Sequence, residues 1–343
     1  MKFTTNQQDL APILVHLSRI TSNLLPNVQL TASTDTLTLY TSDCSVYMSA
    51  TIPAVVEEAG TVTMDCKELS ALINRLTGKV NYDNGIVKAN GSKFKFVPTQ
   101  AEMPVVPILE ETPITVDAKE LITQLKKTLI GAAPTFTGNL LSGILLDGQN
   151  VVATDGNMMI VNRLSAKLFD EQVILPSKLV DEMTKCFANA NSLSIATNGR
   201  NITISSDTMT ITSTLLEGQY PKYAQLIPQS YTKKAVLNAK ELLQHVSLIE
   251  LAANQKTNIC KMAFTPDNLT LSANKDGCEG DTCMDIESTD ELNIAFNIAY
   301  LLKILKNYDS DVIEFSFDGS LSAGLFKPNE SDLALLMPCQ IRS

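Results

Sequence analysis

Few residues of this chain have the types and spacing that catalysis requires. The sequence holds two histidines, His16 and His245, and no serine, cysteine or carboxylate pair stands in a recognisable arrangement around either. We interpret both as helix residues rather than general bases. Asp155, in ThrAspGly, has the type of a carboxylate nucleophile, but AspGly between two apolar runs first predicts a hairpin turn. A hydrolase acting there would need a base near Asp155 that the sequence does not offer.

Metal and phosphate sites have equally little support. Cys278 and Cys283 enclose GluGlyAspThr, which is half of a metal motif with no second pair nearby. Gly78-Lys79 lacks the upstream glycine that a phosphate-binding loop carries. Seven cysteines, an odd number scattered along the chain, favour reduced thiols over a disulfide framework. The sequence therefore predicts no enzyme, no metal site and no cofactor.

Composition sets the remaining bounds. The chain has 343 residues, of which 44% are apolar, enough for several modest cores. No segment has the length of a membrane span or the pattern of a signal segment, so we expect a cytoplasmic protein without a membrane partner. The net charge of −10 would ordinarily argue against a DNA partner, because non-specific affinity for DNA comes from cations.

A long-range repeat organises these residues. Strand-like runs end in Pro104, Pro221 and Pro338, at equal intervals of 117 residues (221 − 104 and 338 − 221). Such a period is too long for a solenoid unit and indicates whole domains. We therefore predict three domains of one fold, at residues 1–112, 113–230 and 231–343.

Each third has the same predicted order of helix, strands, helix and strands. The apolar spacing predicts two helices per third, near 7–20 and 66–76, 118–130 and 177–187, and 239–253 and 297–307. Asp65, Asp117 and Asn238 have the type and position of helix N-caps, each with a glutamate three residues later. Pro12 falls inside the first helical pattern, so that helix is expected to begin late or to be distorted.

Period-two alternation and turn signals predict the strands. AsnGly at 84, 90 and 198 and AspGly at 147 and 318 separate alternating runs, as in hairpins of antiparallel sheet. With two helices and several such strands per third, the helices should lie on one face of the sheet. The predicted fold class is α+β.

The residues also carry a family resemblance. Six segments, in order along the whole chain, resemble the bacterial sliding clamp, the β subunit of DNA polymerase III: MetLysPhe at 1–3, ValAlaThrAspGly at 152–156, IleLeuProSerLys at 174–178, LeuGluGlyGlnTyrProLysTyr at 216–223, PheAsnIleAlaTyrLeuLeu at 296–302 and LeuMetProCysGln at 336–340. Members of that family are three-domain chains that pair head to tail into a closed ring. The resemblance implies that architecture here, with helices lining the hole.

A ring would reconcile a DNA partner with the negative net charge. An encircled duplex can be held through a few weak phosphate contacts that read no sequence. The resemblance thus implies a processivity factor that surrounds double-stranded DNA. The candidate lining cations lie on the polar faces of the predicted helices: Arg19, Arg75, Lys126, Lys127, Lys178, Lys185, Lys303 and Lys306.

The resemblance implies a second site, an apolar groove between the second and third domains. In the family this groove takes short peptides of the replicative DNA polymerase, the clamp loader and repair proteins that carry a clamp-binding motif. Apolar surfaces rich in methionine accept varied partners because the thioether adapts its shape. The matching wall residues are Leu141, Thr154, Gly156, Asn157, Met158, Met159, Pro221, Leu226, Ser322, Leu335 and Met337.

At one point of this wall the chain departs from the family pattern. Family members usually have His-Arg-Leu after AspGly, whereas this chain has Asn157, Met158 and Met159. Neighbouring methionines on a strand point to opposite faces, so one of the two can be buried elsewhere. We expect peptides that are more apolar at the position facing Met158.

The resemblance also implies a homodimer. One face of the contact would lie near Met103 and Val105, and the other near Leu251. An alternative reading is a divergent three-domain scaffold that binds peptides and does not encircle DNA. The lysines on the polar helix faces favour the clamp over this scaffold.

Overall fold

The computed structural model describes residues 1–134, 139–228, 230–288 and 290–340, which form two compact units. The first unit comprises Met1–Ile122 and Asp181–Leu216, and the second comprises Thr123–Val180 and Glu217–Ser343. Among the described residues, no helix combines the length and apolar character needed to cross a membrane.

The element order repeats three times, and each repeat is called a copy below. The first copy contains two helices and nine strands: β1 (Lys2–Asn6), α1 (Gln7–Ile20), β2 (Asn27–Ser33), β3 (Thr36–Ser42), β4 (Val46–Pro53), β5 (Val55–Glu58), β6 (Gly60–Asp65), α2 (Cys66–Ile73), β7 (Lys79–Asp83), β8 (Ile86–Ala89) and β9 (Ser92–Lys95).

The second copy keeps this order with one strand fewer. It contains β10 (Ile114–Asp117), α3 (Ala118–Leu129), β11 (Gly143–Asp147), β12 (Asn150–Thr154), β13 (Met158–Arg163), β14 (Val173–Pro176), α4 (Ser177–Cys186), β15 (Ser192–Thr197), β16 (Asn201–Ser205) and β17 (Met209–Thr214).

The third copy returns to nine strands. It contains β18 (Lys233–Asn238), α5 (Ala239–Glu250), β19 (Ile259–Phe264), β20 (Asn268–Lys275), β21 (Cys278–Asp285), β22 (Glu287–Ser288), β23 (Leu292–Asn297), α6 (Ile298–Asn307), β24 (Val312–Phe317), β25 (Gly324–Lys327) and β26 (Leu333–Leu336). The predicted order is confirmed, with one further strand before the first helix of each copy.

The strands form four antiparallel sheets. The first unit has a five-stranded sheet, β5-β1-β7-β8-β9, and an eight-stranded sheet, β10-β15-β16-β17-β4-β3-β2-β6. The second unit has a nine-stranded sheet, β14-β11-β12-β13-β26-β25-β24-β18-β22, and a four-stranded sheet, β21-β20-β19-β23. The α+β class is confirmed.

Two of these sheets join strands of different copies. In the first unit, β4 pairs with β17 in the register Met48↔Ile211. In the second unit, β13 pairs with β26 in the register Met159↔Leu335. Each junction unites the third strand after the first helix of one copy with the third strand after the second helix of the next copy.

The predicted helix caps are present. The side chain of Asp65 accepts the backbone N–H of Glu68 at 2.8 Å, and Asp117 and Asn238 accept the equivalent N–H groups at 2.7 and 3.0 Å. These bonds satisfy amides that have no partner inside the helix. The expected late start of the first helix is wrong, because α1 begins at Gln7 and carries Pro12 in its interior.

The predicted turns also lie where the sequence signals them. Asn84 and Gly85 have φ angles of 43° and 87°, and Asn90 and Gly91 have 48° and 78°. Two successive positive φ angles match the twist of antiparallel strands, and asparagine and glycine tolerate them. The β7–β8 and β8–β9 hairpins are therefore set locally by these residue pairs.

Candidate functional site

The junction between β13 and β26 brings together segments that lie far apart in the sequence. The register runs Met158↔Leu336, Met159↔Leu335, Ile160↔Ala334 and Val161↔Leu333. One further bond extends the pairing, since the N–H of Met337 donates to the carbonyl of Asn157 at 2.8 Å. Asn157 and Met337, both predicted wall residues, are thus adjacent.

The turn before β13 is held by its own side chains. Asp155 accepts the N–H groups of Asn157 and Met158 on one carboxylate oxygen, both at 2.9 Å. The hydroxyl of Thr154 donates to the carbonyl of Met158 at 2.8 Å and accepts the N–H of Gly156 at 3.1 Å. Gly156 has a φ of 93°, a conformation that favours glycine. This turn presents Asn157 in one fixed orientation.

Helix α6 supports the same turn from the third copy. The hydroxyl of Tyr300 donates to the second carboxylate oxygen of Asp155 at 2.6 Å, and the side-chain amide of Asn157 donates to the Tyr300 hydroxyl at 3.4 Å. Burial and the neighbouring Asp155 raise the pKa of Tyr300 to about 12. Both oxygens of Asp155 are thus engaged in bonds that hold the turn.

The connection after β17 is tied to the second copy. The hydroxyl of Tyr223 donates to Asp147 at 2.8 Å and accepts from the Asn150 side chain at 3.1 Å. Gly218 has a φ of 141°, and an added Cβ there would stand 2.7 Å from a methyl group of Leu140. Pro221 and Leu226 lie on this anchored segment, where both are exposed.

The predicted wall residues divide by burial. Thr154, Met158, Met159 and Leu335 are buried, Leu141 is half-buried, and the exposed members are Gly156, Asn157, Pro221, Leu226, Ser322 and Met337. Among the exposed members, Leu226 and Met337 are large apolar side chains, at 58% and 47% exposure. Leu321, at 69%, was not predicted, although it directly precedes Ser322.

Met158 requires a correction. Its side chain is 1% exposed and belongs to the core of the third copy, together with Val246, Leu301 and Leu336. It therefore lies on the helix-facing side of the sheet, and a peptide in an open groove would not face it. Met159 is on the opposite side of the strand. The expected peptide preference at Met158 has no basis in this structure.

The predicted lining cations are mostly exposed, as such a role requires. Arg19, Arg75 and Lys185 are exposed in the first unit, and Lys126, Lys303 and Lys306 are exposed in the second, where Lys178 is half-buried. Lys127 differs, because its ammonium lies 3.2 Å from the buried carboxylate of Asp332 and 5.5 Å from the centre of the Tyr308 ring. Lys127 serves the packing of its unit and is a poor candidate for phosphate contact.

Two of these cations are partly compensated. Arg19 and Lys185 each lie 3.9 Å from the buried carboxylate of Glu182, and Lys185 also pairs with Asp181. In the second unit, Lys303 lies 5.5 Å from the centre of the Tyr300 ring. An aromatic face holds a cation without neutralising it.

The predicted dimer residues differ in exposure. Val105 and Leu251 are 87% and 71% exposed, and Met103 is half-buried. The carbonyl of Leu251 accepts the ammonium of Lys275, on the strand next to the edge strand β21, at 2.5 Å. The edge positions of β9 and β21 could not be predicted, because sheet order cannot be read from alternation.

Two family models match the chain in sequence order. The model of the DNA polymerase III beta subunit, central domain, matches residues 115–222, and that of the C-terminal domain matches residues 224–340. Together they cover more than half of the chain.

Full-length relatives and solved structures agree with these models. The chain is 26% identical to the beta sliding clamp of Synechococcus elongatus, over 100% of both chains, and 25% identical to that of Chlamydia pneumoniae, over 99% of both. Its fold matches the sliding clamp structures of C. crescentus, with a TM-score of 0.93 at 21% identity over 99% of both chains, and Bacillus subtilis, with 0.90 at 22% over 100% of both. The chain belongs to the DNA polymerase III beta subunit family, the bacterial beta sliding clamps.

Proposed function

We propose that this protein works as a dimeric ring that encircles double-stranded DNA and tethers the replicative polymerase to it. The observation that carries the ring is the repeated strand junction. The third strand after the first helix of a copy pairs with the third strand after the second helix of the next copy, as β4 does with β17 and β13 with β26. The same rule would pair β21 with β9, and both are edge strands of their sheets. Two chains joined head to tail would satisfy this third junction twice and close.

The charges of the two edges support that pairing. β9 carries Lys93 and Lys95, which are exposed and lie on one face of the strand. β21 carries Glu279 and Asp281, which are likewise exposed and share one face. Opposite charges on paired strands stabilise a sheet, whereas like charges oppose it. The proposed contact extends the one near Val105 and Leu251 that the family resemblance implies.

Sedimentation equilibrium tests the dimer. The wild-type chain is expected to sediment at twice 37.3 kDa at micromolar concentration. Reversing the charges on β9 with Lys93→Glu and Lys95→Glu should raise the dissociation constant of the dimer by about tenfold or more. Adding Glu279→Lys and Asp281→Lys should restore dimerisation. Lys88→Glu, on the neighbouring strand β8, is the control. A monomer in the wild type, or no rescue by the second pair, would refute this interface.

We infer that the exposed lining cations make weak, sequence-independent phosphate contacts. Such contacts position DNA without reading bases, and each one adds to the salt dependence of binding. Neutralising Arg19, Arg75, Lys126 and Lys306 together should shorten the time a loaded ring stays on circular DNA and flatten its salt dependence. Lys127→Gln serves as the contrasting variant, with an effect on stability instead. Unchanged loading and sliding in the fourfold variant would refute the lining assignment.

We infer a second surface for peptides of the polymerase, the clamp loader and other clamp-binding proteins. The exposed Leu226, Leu321 and Met337, with the ordered turn at Asn157, support it. The three predicted domains would then be copies with separate tasks, with the groove between the second and third. The protein itself would be non-catalytic and would act in the cytoplasm.

Primer extension tests the whole proposal. A polymerase of the same family and a matched clamp loader would copy primed circular DNA with and without this protein. A clamp lengthens the product made per binding event, while a peptide-binding scaffold that does not encircle DNA does not. Linearising the template should abolish the gain, because a ring slides off free ends. Equal product lengths on circular DNA, with a loader shown to act on a related clamp, would exclude the clamp function.

A further inference from the structure

Three side chains with metal-binding chemistry meet in the first unit. His16 comes from α1, and Glu182 and Cys186 come from α4. One ligand atom of each, an imidazole nitrogen, a carboxylate oxygen and the thiol sulfur, lies within 4.8 Å of the other two. Ligand atoms around one tetrahedral ion lie about 3.3–3.8 Å apart, as metal–ligand distances of about 2.0–2.3 Å require. The three atoms would therefore have to approach one another by up to about 1.5 Å to bind one ion.

The immediate surroundings point to a ligand. Nδ1 of His16 is buried from solvent and has no hydrogen-bond partner among the described residues. Leaving such an atom unsatisfied is costly, and each buried case calls for an explanation. Burial, followed by the charges of Arg19 and Lys185, lowers the pKa of His16. An imidazole nitrogen without a hydrogen-bond partner is a common ligand of transition metals.

The two ligands on α4 are preorganised. Glu182 and Cys186 are four residues apart, so they lie on the same face of one helix. The side chain of Glu182 is 6% exposed, and Cys186 is half-buried. Their relative position is set by the helix rather than by a mobile loop, which reduces the ordering cost of binding an ion.

We propose that His16, Glu182 and Cys186 form a binding site for a divalent transition-metal ion of the Zn²⁺ class. Sulfur, nitrogen and oxygen donors together suit this borderline-soft ion better than Mg²⁺ or Ca²⁺, which prefer oxygen alone. Three protein ligands leave a fourth position for water. Binding converts the thiol to a thiolate and releases its proton to solvent, so one S–H bond is exchanged for one S–metal bond.

The neighbouring cations Arg19 and Lys185 affect the strength of metal binding and the local charge. Arg19 and Lys185 each lie 3.9 Å from Glu182 and repel an incoming ion. This repulsion weakens metal binding relative to a site without the two cations. The incoming ion adds two charges and displaces one proton, so the surface around Arg19 and Lys185 becomes more positive by one charge. Metal loading would then strengthen any phosphate contact made by those two residues.

Cobalt and zinc titrations of the full, reduced chain test the site. Co²⁺ is expected to bind with one equivalent per chain and to give sulfur-to-cobalt charge-transfer absorption with intense visible bands of four-coordination. X-ray absorption of the zinc-loaded protein should show one sulfur near about 2.3 Å and nitrogen or oxygen near about 2.0–2.1 Å. This second measurement needs no variant, so it holds even where a substitution impairs folding.

Matched variants locate the binding. Loss of an outer-shell partner typically weakens metal binding about 10- to 100-fold, so Cys186→Ser and His16→Gln, which remove ligands, should each weaken it by more than about 100-fold. Cys44→Ser and His245→Gln are the controls, because Cys44 is exposed and His245 already bonds to Thr282 at 2.6 Å. The proposal fails if no sulfur–cobalt band appears, if the zinc spectrum shows no sulfur, or if Cys44→Ser abolishes binding while Cys186→Ser leaves it intact.

Discussion

The two junctions between copies use the same strand pairing and differ in their outer faces. At β4–β17 the apolar residues Met48 and Ile211 face one side, and Ser49, Thr210 and Thr212 alternate with them. At β13–β26 both sides are apolar. Met158 and Leu336 face the core of the third copy, and Met159 and Leu335 face the other way.

The difference distinguishes the apolar surface that a sheet needs for packing from the apolar surface that a binding site exposes. One apolar face is enough to pack helices against a sheet, as β4–β17 demonstrates. At β13–β26 the second apolar face is covered as well, because Met159 and Leu335 are only 3% and 6% exposed. Exposed apolar side chains of this unit, such as Leu226, Leu321 and Met337, lie outside the two paired strands.

The largest expected effect contrasts the two faces of these junctions. Met158→Arg would bury an unpaired charge in the core of the third copy and should lower the free energy of unfolding by about 3–5 kcal/mol. Ser49→Arg, on the outer face of β4, should change it by about 0.5 kcal/mol or less. Chemical denaturation followed by circular dichroism measures both. Equal losses in the two variants would contradict the assignment of Met158 to the core side of its sheet and of Ser49 to the outer side.

A second prediction concerns peptide affinity. Met337→Asp places a charge on the exposed apolar side chain next to Asn157 and should weaken binding of an apolar clamp-binding peptide by about tenfold or more, equivalent to about 1.4 kcal/mol. Thr51→Asp, exposed on β4 at the other junction, should leave it unchanged. Fluorescence anisotropy with a labelled peptide measures both affinities. A peptide that binds Met337→Asp as tightly as wild type would move the groove elsewhere.

The smallest effect tests the link between α6 and the turn at Asp155. Tyr300→Phe removes the 2.6 Å bond to the Asp155 carboxylate and should cost about 1 kcal/mol at neutral pH. Tyr47→Phe is the control. It also removes a tyrosine hydroxyl, but that hydroxyl donates only to the carbonyl of the nearby Cys44. Urea denaturation at neutral pH separates the two.

The raised pKa of Tyr300, caused first by burial and then by Asp155, predicts a pH dependence. The pKa of Tyr300 is raised to about 12 in the folded protein from an ordinary 10. A raised pKa stabilises the folded state below pH 10, and that contribution is lost as the pH rises towards 12. Tyr300→Phe should therefore lose less stability than wild type between these values. If the free energy of unfolding falls equally with pH in the two proteins between pH 10 and 12, the raised pKa of Tyr300 is contradicted.

Local features were predictable from the sequence. The helix caps at Asp65, Asp117 and Asn238 were predictable because a cap depends on two residues three positions apart. The turns at Asn84 and Asn90 were predictable because each depends on an asparagine followed directly by a glycine. The repeat order followed from these local signals, because every copy uses them in the same succession.

Features that depend on distant partners were not predictable. From the sequence alone Lys127 is predicted to be a surface cation, whereas in the folded chain it pairs with the buried Asp332. Met158 and Met159 cannot be assigned to faces by alternation, because both faces of their strand are apolar. His16 and Cys186 meet only through the packing of two helices.

The edge strands β9 and β21 also bear on whether the protein aggregates. An exposed strand edge is a template for any extended chain and so a starting point for aggregation. Lys93 and Lys95 on one edge and Glu279 and Asp281 on the other repel copies of themselves and attract each other. If β9 and β21 pair between two chains as proposed, the same four charges would also protect newly made chains from irregular self-association before they dimerise.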